Sequence, residues 1–231
     1  MAQRYGPRIV TRGLIFNADP NDIKNQIVEG THGMANLVGG TRNTRYGAPT
    51  VGTLGGVTCW IFDATNEYYE ANLIASGDQP STDATVEMWI YPQTDVSSGD
   101  RGTLLRLNGN QSLYHSWNKN NRKLSNYWYS HNTVGSAGYH ETGAAMALNQ
   151  WHHTAAVWNY NDQKIYQYTN MTKTSGTTQG NATAGTNPEI GMESTGRQFA
   201  GGIAVCRIYN VALTDDEITQ NYNAFKDRFG L

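Results

Sequence analysis

The stretch of residues 148–171, LNQWHHTAAVWNYNDQKIYQYTNM, decides the fold of this chain. It holds two runs rich in aromatic, β-branched and small apolar residues, 151–158 and 164–169, on either side of the polar residues 159–163. Alternate positions differ in character along both runs, and a period of two is typical of β-strands. Two such strands around a short polar turn predict a β-hairpin. Because a hairpin cannot bury its own apolar face, we expect further strands to cover it.

Short runs of the same kind recur along most of the chain. Residues 84–92, ATVEMWIYP, show the alternation most clearly. Residues 21–58 are turn-rich and predict mostly loop with short edge pairing, and residues 172–187 predict an exposed loop. Many short strands without an intervening helix predict an all-β, antiparallel two-sheet sandwich. The predicted strands are residues 13–19, 56–64, 82–92, 101–107, 112–117, 123–130, 151–158, 164–169, 189–192 and 201–209.

One short α-helix is predicted at the end of the chain, over residues 214–229. Thr214 and Glu217 have the spacing of a capping box, in which each side chain binds a backbone N–H group near the other residue. Ile218, Tyr222 and Phe225 recur at i, i+4 and i+7, so they form one apolar face. We expect this helix to dock on the sandwich and to carry no chemistry.

Length and composition fit one β-rich domain. The chain has 231 residues, 38% of them hydrophobic, and 25 glycines. Charged residues make up only 16%, which disfavours a helical bundle. Residues 1–12 contain three arginines and little pattern, so they are predicted to form an N-terminal arm. Residues 13–231 are predicted to form a single domain that includes the C-terminal helix.

Charge and hydropathy exclude several classes of partner. The 17 basic and 19 acidic residues give a net charge of −2 and form no long run of one sign, whereas a nucleic-acid-binding protein needs a basic stripe. No apolar run approaches the roughly 20 residues that cross a bilayer. The first residues lack the apolar core of a secretion signal. We therefore expect no nucleic-acid partner, no membrane insertion and synthesis in a cytoplasm.

The two cysteines, Cys59 and Cys206, lie inside strand-like runs, VTCWIFD and IAVCRIY. Folding in a cytoplasm favours reduced, buried thiols that act as small apolar residues. A disulfide is the alternative if the two strands are neighbours.

Four segments, in order along the chain, carry a resemblance to a known family. They are residues 55–70, 84–92, 148–170 and 199–231. Together they resemble the laminin-G-like, concanavalin-A-like jelly-roll domains. The resemblance implies a jelly-roll sandwich of two antiparallel sheets, each of six or seven strands, with one sheet concave. The last segment, together with the early GLIFNAD, also resembles the laminin-G-like domains of tailed-phage virion proteins.

Glycosidases of related fold carry an E-x-D-x-E run along one strand. Such enzymes need two carboxyl groups about 5 to 9 Å apart across the scissile bond. Here residues 85–89 offer Glu87 alone, with no acidic partner at the alternating positions. We therefore predict that the protein is not an enzyme.

Metal ligands are sparse in the sequence. Asp63, Glu67 and Glu70 cluster after a predicted strand, where turn and surface roles are usual. The resemblance implies that they are calcium candidates, although their spacing lacks the EF-hand pattern. The six histidines show no helical metal spacing and the chain has no Cys-x-x-Cys, which disfavours zinc. No cofactor is predicted other than calcium as an option.

The tract of residues 113–141 interleaves aromatic and polar side chains. Sugars stack their C–H faces on aromatic rings, and their hydroxyls form hydrogen bonds with amide and hydroxyl groups. This set of side chains therefore suits a glycan site. The predicted glycan-binding residues are Trp117, Tyr127, Tyr129 and Tyr139. The alternative is that these rings pack within the second sheet. Alternation places Tyr127 and Tyr129 on one face of their strand and Trp128 on the other.

The leading prediction is a non-enzymatic structural protein of a tailed-phage virion, either a capsid decoration or a fibre or knob subunit. It would be made in the host cytoplasm, lie on the virion surface and contact capsid or tail proteins. It could form a homo-oligomer and adhere to host-surface polysaccharide. The alternative is a free-standing, extracellular carbohydrate-binding lectin module of a bacterium, and a glycosidase ranks last.

Overall fold

The computed structural model describes residues 8–22, 33–39, 43–71, 80, 82–94, 101–108, 111–118, 120–130, 138–141, 143–177, 187–192 and 197–231. These residues form fifteen β-strands, one α-helix and one 3-10 helix. Their bounds are β1 (Leu14–Ala18), β2 (Asn43–Tyr46), β3 (Thr50–Leu54), β4 (Val57–Asp63), β5 (Tyr68–Ala71), β6 (Ala84–Pro92), β7 (Arg101–Asn108), β8 (Gln111–Asn118), β9 (Leu124–Ser130), β10 (Gly138–Glu141), β11 (His152–Asn159), β12 (Lys164–Thr169), β13 (Thr172–Thr177), β14 (Asn187–Ile190), β15 (Ala200–Tyr209), α1 (Asp215–Phe225) and the 3-10 helix (Lys226–Phe229).

The strands form two antiparallel sheets that pack face to face. The first sheet has the order β13-β12-β11-β6-β15-β4-β3, and β1 also pairs with β15. The second sheet has the order β10-β9-β8-β7-β14-β5-β2. The predicted all-β antiparallel sandwich with a short C-terminal helix is confirmed. None of the helices in the described part of the chain is long and apolar enough to cross a membrane.

The predicted hairpin is the β11–β12 pair, and it lies inside the first sheet rather than at its margin. Trp158 pairs with Ile165 across the turn, and both side chains are buried in the core between the sheets. β6 pairs with the other side of β11 and with β15. Trp60 and Trp117 enter the same core from the first and second sheets respectively. The cover that the hairpin requires is therefore the second sheet.

The C-terminal helix covers the outer face of the first sheet. Thr214 caps α1, and the capping box with Glu217 is present in both directions. The helical segment packs on Trp89, whose ring stacks against Phe229 at 4.0 Å between centroids and against Tyr222 at 5.7 Å. Gly230 ends the 3-10 helix with a φ of 72°. Burial of these rings stabilises the helix, which is too short to be stable alone.

Residues 8–12 lie against the same helix. The backbone N–H of Val10 donates to Asn221 Oδ1 at 2.8 Å, and Arg12 forms an ion pair with Glu217 at 2.7 Å. Residues 1–7 lie outside the described chain. The division between an arm, residues 1–12, and a domain, residues 13–231, stays a prediction.

The prediction of an exposed loop over residues 172–187 is wrong at its start. Thr172–Thr177 forms β13 and pairs with the whole length of β12. Its sequence, TKTSGT, has no apolar alternation, and its residues are exposed or only half-buried at the edge of the sheet. Its backbone hydrogen bonds to β12 hold it as a strand, and they leave no signal in the side chains. Residues 178–186 lie outside the described part.

Both cysteines are free and buried. Although β4 and β15 are neighbours, Cys206 faces the core between the sheets and Cys59 faces the helix on the outer side. Two side chains on opposite faces of one sheet cannot form a disulfide. Burial raises the pKa of Cys59 to about 12 and also raises that of Cys206.

Candidate functional site

One row of outward-facing side chains crosses the second sheet, and we call it the cross-strand row. The register of β9, β8, β7, β14 and β5 places its members side by side: Tyr127, Tyr114, Arg106, Glu189 and Glu70. All five are half-buried, whereas the alternating residues whose side chains the structure describes are buried. Within the described residues, no helix lies over this face. Each side chain of the row therefore keeps part of its surface in solvent.

Two arginines fix the tyrosines of the row. The guanidinium carbon of Arg101 lies 4.5 Å from the ring centroid of Tyr127 and 5.6 Å from that of Tyr114. Arg106 lies 5.5 Å from the Tyr114 ring, and the two tyrosine rings meet edge to face at 6.2 Å. Cation–π contacts of this kind stabilise each partner's orientation. Arg101 therefore covers one face of the Tyr127 ring and places N–H donors beside the two tyrosines.

The centre of the row contains an ion pair. Arg106 Nη1 lies 3.2 Å from Glu189 Oε2, with about a fifth of each side chain exposed. The pair holds both groups in place while leaving them in reach of solvent. Carboxylate acceptors and guanidinium donors side by side can hydrogen-bond neighbouring hydroxyl groups of one ligand.

A second aromatic pair lies at the edge of the same face. Tyr46 on β2 stacks on Tyr68 on β5, with ring centroids 4.4 Å apart and planes 4° from parallel. Tyr46 is 38% exposed. Glu70 lies on the same strand as Tyr68 and accepts a hydrogen bond from Tyr46, which raises the pKa of Tyr46. The sequence did not indicate this pair, because β2 and β5 are only four residues long.

A buried polar network lies directly behind the row. His115 contacts Asn126 at 2.7 Å and Thr154 of the opposite sheet at 3.0 Å, and Asn126 donates to Gln167 at 2.6 Å. Burial lowers the pKa of His115 to about 4, so the ring is neutral at physiological pH. The network connects β8 and β9 to β11 and β12 across the core. It therefore fixes the two strands that carry Tyr114 and Tyr127.

The structure pairs two of the predicted glycan residues in register, Tyr139 on β10 with Tyr127 on β9, and buries a third. Tyr127 lies in the cross-strand row. Trp117 is 0% exposed and packs edge to face on Phe199 in the core, so the prediction that it contacts a sugar is wrong for this conformation. The side chains of Tyr129 and Tyr139 lie outside the described part, and their roles stay predictions. Interleaved aromatics on a strand belong to two faces, and only one of these can meet solvent.

The three calcium candidates do not come together. Asp63 and Glu67 belong to one tight loop, where Glu67 accepts the backbone N–H of Asp63 at 2.8 Å. Thr65 donates to Asp63, which lowers the pKa of Asp63, whereas burial raises that of Glu67. Glu70 lies apart, in the cross-strand row. Among the described residues, no group of three or more His, Cys, Asp or Glu side chains could hold a metal ion.

Glu87 lies on the other sheet, under the C-terminal helix. It is 0% exposed and contacts His153 at 2.9 Å, Asn221 at 2.8 Å and Arg207 at 3.4 Å. Burial alone would raise the pKa of this carboxyl, but the charge of Arg207 and its hydrogen bonds hold the pKa below the usual range. A substrate cannot reach Glu87. The carboxyl group considered above as a catalytic candidate is used here to attach the helix.

Comparison with known proteins identifies the family. Residues 63–219, more than half of the chain, match the family described as the concanavalin A-like lectin/glucanases superfamily. The chain belongs to this superfamily. No curated protein sequence matches the chain.

Solved structures with the same fold include domains of larger proteins. Domain 4 of AbnA, a GH43 extracellular arabinanase from Geobacillus stearothermophilus solved in complex with arabinotriose, has a TM-score of 0.65 and 16% identity, over 90% of this chain and 97% of that one. The binding domain of Paraclostridial Mosquitocidal Protein 1 has a TM-score of 0.66 and 15% identity, over 92% and 52%. The receptor binding domain of botulinum neurotoxin type G has a TM-score of 0.65 and 11% identity, over 91% and 51%. The present chain thus spans about half of each toxin domain. At these identities the likeness shows the fold.

Proposed function

We propose that this protein is a carbohydrate-binding domain and that the outer face of the second sheet is its binding surface. The observation that carries the proposal is the cross-strand row, a line of aromatic, cationic and anionic side chains that faces solvent. The opposite face of the molecule is closed by α1. The arabinanase domain, matched over nearly its whole length, was solved with an arabino-oligosaccharide. That match supports the alternative prediction, a carbohydrate-binding module, better than the virion protein.

The chemistry of the row suits a sugar. Tyrosine rings and edges contact C–H groups, and their hydroxyls donate or accept hydrogen bonds. Arg106 supplies donors and Glu189 supplies acceptors at fixed positions, because each holds the other. Ligand sites in proteins commonly combine aromatic walls with a few fixed polar groups. Binding on this face requires no catalytic carboxyl group.

Titration calorimetry with arabino-oligosaccharides, preceded by a broad glycan array, tests the proposal. We expect Tyr114→Ala to weaken binding by at least about tenfold, as removal of a central aromatic contact commonly does. Tyr160→Ala is the control, because Tyr160 is an exposed tyrosine that lies in the β11–β12 turn of the other sheet. If no glycan on the array is bound, or if the two variants bind equally well, the proposed surface is contradicted.

The virion prediction has no structural observation of its own. Capsid or tail partners, a homo-oligomer and a position on the virion surface stay predictions, as does an extracellular position in a bacterium. Mass spectrometry of purified virions and of culture medium separates the two. Detection in virions would favour the structural protein, and detection in medium alone would favour the lectin module.

A further inference from the structure

The outer edge of β3, the last strand of the first sheet, has no backbone partner in the described part of the chain. β3 pairs with β4, and no other backbone hydrogen bond between described residues reaches it. A two-residue turn, residues 55–56, joins the two strands, with φ values of 52° and 81°. The pair that flanks such a turn is hydrogen-bonded, and bonded and non-bonded pairs then alternate along the ladder. Leu54 therefore bonds to β4, whereas the backbone groups of Val51 and Thr53 point away from it.

The other strands that end the two sheets are covered at their edges. β13 and β10 lie on the same side of the sandwich, where His140 Nε2 contacts Thr174 Oγ1 at 3.3 Å and joins the two sheets. At the opposite end of the second sheet, the backbone N–H of Asn43 on β2 donates to the carbonyl oxygen of Met34 at 3.2 Å. Of the four strands that end the sheets, β3 is thus the one that the described part of the chain leaves open.

β3 also lacks the features that protect an edge strand. Its sequence, TVGTL, contains neither a charged residue nor a proline, and its pairing with β4 has no bulge. β13, in contrast, carries Lys173, and β2 carries Arg45. Charges, prolines and bulges normally keep an exposed edge from pairing with another chain. Their absence from β3 favours a partner strand at this edge.

The sequence of β3 fits a second copy of itself. Antiparallel pairing with full overlap places Val51 opposite Thr53 of the second copy, and these are the two residues whose backbone groups point outward. Each such pair exchanges both of its N–H···O bonds. Gly52 then meets its own copy at the centre, in a non-hydrogen-bonded pair, where facing Cα atoms approach to about 4.5 Å and side chains come closest. The edge is self-complementary because glycine lies on the axis and no charge meets a like charge.

We infer that β3 is a dimerisation edge, at which two copies of this chain join their first sheets into one continuous antiparallel sheet. Antiparallel pairing of identical strands requires a two-fold axis perpendicular to the sheet. The outer faces of both second sheets then point the same way. The consequence for binding rests on the proposed function: the dimer presents two carbohydrate-binding faces to one glycan-bearing surface, where the first contact favours the second.

Sedimentation velocity over a range of protein concentrations tests the dimer. We expect the wild type to sediment as a dimer at high concentration and to dissociate on dilution. Thr53→Lys replaces an exposed side chain, places two like charges beside the axis and should raise the dissociation constant at least about tenfold. Thr172→Lys is the matched control, because Thr172 is an exposed threonine on the edge strand β13, and it should behave as the wild type does. Thermal unfolding checks that both variants fold.

Amide hydrogen exchange followed by NMR locates the interface. In the monomer, the N–H groups of Val51 and Thr53 point into solvent and exchange fast. Those of Gly52 and Leu54 are protected by β4 in either state. Dimerisation should slow the exchange of Val51 and Thr53. A wild type that stays monomeric at NMR concentrations, a dimer that Thr53→Lys leaves intact, or exchange at Val51 and Thr53 that does not slow in the dimer would overturn the inference.

Failure of the proposed function is distinguishable from failure of the dimer. A short oligosaccharide engages one copy, so Thr53→Lys should bind it as the wild type does. On immobilised polysaccharide, where two faces act together, the variant should bind at least about tenfold more weakly. If the dimer forms but no carbohydrate binds, the proposed function fails and the dimerisation edge stands. If the monomeric variant binds polysaccharide as tightly as the dimer, the joint action of the two faces is wrong.

Discussion

The outer faces of the two sheets carry similar residues, which are covered on the first sheet and partly exposed on the second. Each face has an arginine–glutamate pair with aromatic rings beside it: Arg207 with Glu87 on the first sheet, and Arg106 with Glu189 on the second. On the first sheet α1 covers the pair, and exposure falls to 1% and 0%. On the second sheet about a fifth of each side chain remains exposed. The difference teaches that burial, rather than residue type, separates a structural ion pair from one that can meet a ligand.

The two faces also differ in how each carboxylate is satisfied. Glu87 has three protein partners, so its charge is fully used within the fold. An uncompensated charge in such a place would be costly. Glu189 keeps about a fifth of its side chain exposed, so a hydroxyl group of a ligand could reach it. The comparison therefore assigns stability to the first face and leaves the second face available for the proposed carbohydrate binding.

The largest expected effect comes from neutralising the glutamate of each ion pair. Glu87→Gln leaves Arg207 buried without a counter-charge and should cost about 3 to 5 kcal/mol of unfolding free energy. Glu189→Gln, the matched control, removes a half-exposed ion pair and should cost less than about 1 kcal/mol. Urea unfolding followed by tryptophan fluorescence measures both.

Binding should show the reverse order. Glu189→Gln should weaken oligosaccharide binding, while any Glu87→Gln protein that remains folded should bind as the wild type does. Equal losses of stability in the two variants would remove the contrast between the faces.

A smaller effect concerns the helix that covers the first face. Thr214→Ala removes the side chain that accepts the backbone N–H of Glu217, and loss of such a cap should cost about 1 kcal/mol. Thr214→Ser keeps the hydroxyl and is the control. Thermal unfolding should show a lower midpoint for the alanine variant alone. A change in sugar affinity in Thr214→Ala would show that the two faces are coupled.

Acid should weaken the same helix. The hydrogen bonds from Lys173 and Arg12 hold the pKa values of Asp215 and Glu217, respectively, below the usual range. Because the folded pKa is depressed, this stabilisation is complete above the unfolded pKa of about 4 and is lost as pH falls through the folded value. Asp215 is mostly exposed, and Glu217 is paired with a half-exposed Arg12, so we expect less than about 1 kcal/mol from each.

Urea midpoints measured between pH 6 and pH 3 check the sign. The midpoint of the wild type should fall with pH, and Asp215→Asn should show a shallower fall. An identical slope in the two proteins would show that Asp215 titrates as it does in the unfolded chain.

The smallest effect is chemical. At pH 8 neither Cys59 nor Cys206 should react with a thiol reagent in the folded protein, because both are buried and their pKa values are raised. After denaturation without reductant both should react. A denatured protein that shows no free thiol would contradict the unpaired state.

The fold was predictable wherever apolar alternation was strong. The structure contains three such elements as predicted: the hairpin in residues 148–171, the strand in residues 84–92 and the capping box at Thr214. The strands that were missed are short or lie at edges, such as β13, where pairing of the backbone replaces burial of side chains. Local sequence carries little information about such strands, because their partners are distant in the chain.

The site was predictable only in part. Tyr127 was found because it belongs to a tract dense in aromatics, but the same tract suggested Trp117, which alternation turns inward. Arg106, Glu189 and Glu70 come from three strands and meet only when the sheet forms. No spacing in the sequence could place them side by side.

The central claim is that carbohydrate binds the outer face of the second sheet, and mapping of the contact by NMR tests it most directly. Backbone amide shifts of the labelled protein would be followed while a neutral arabino-oligosaccharide is added. The account predicts that perturbed amides cluster in β5, β7, β8, β9 and β14, with β6, β15 and α1 unchanged. Perturbations confined to α1, to the first sheet or to the loops at the ends of the sandwich would contradict it.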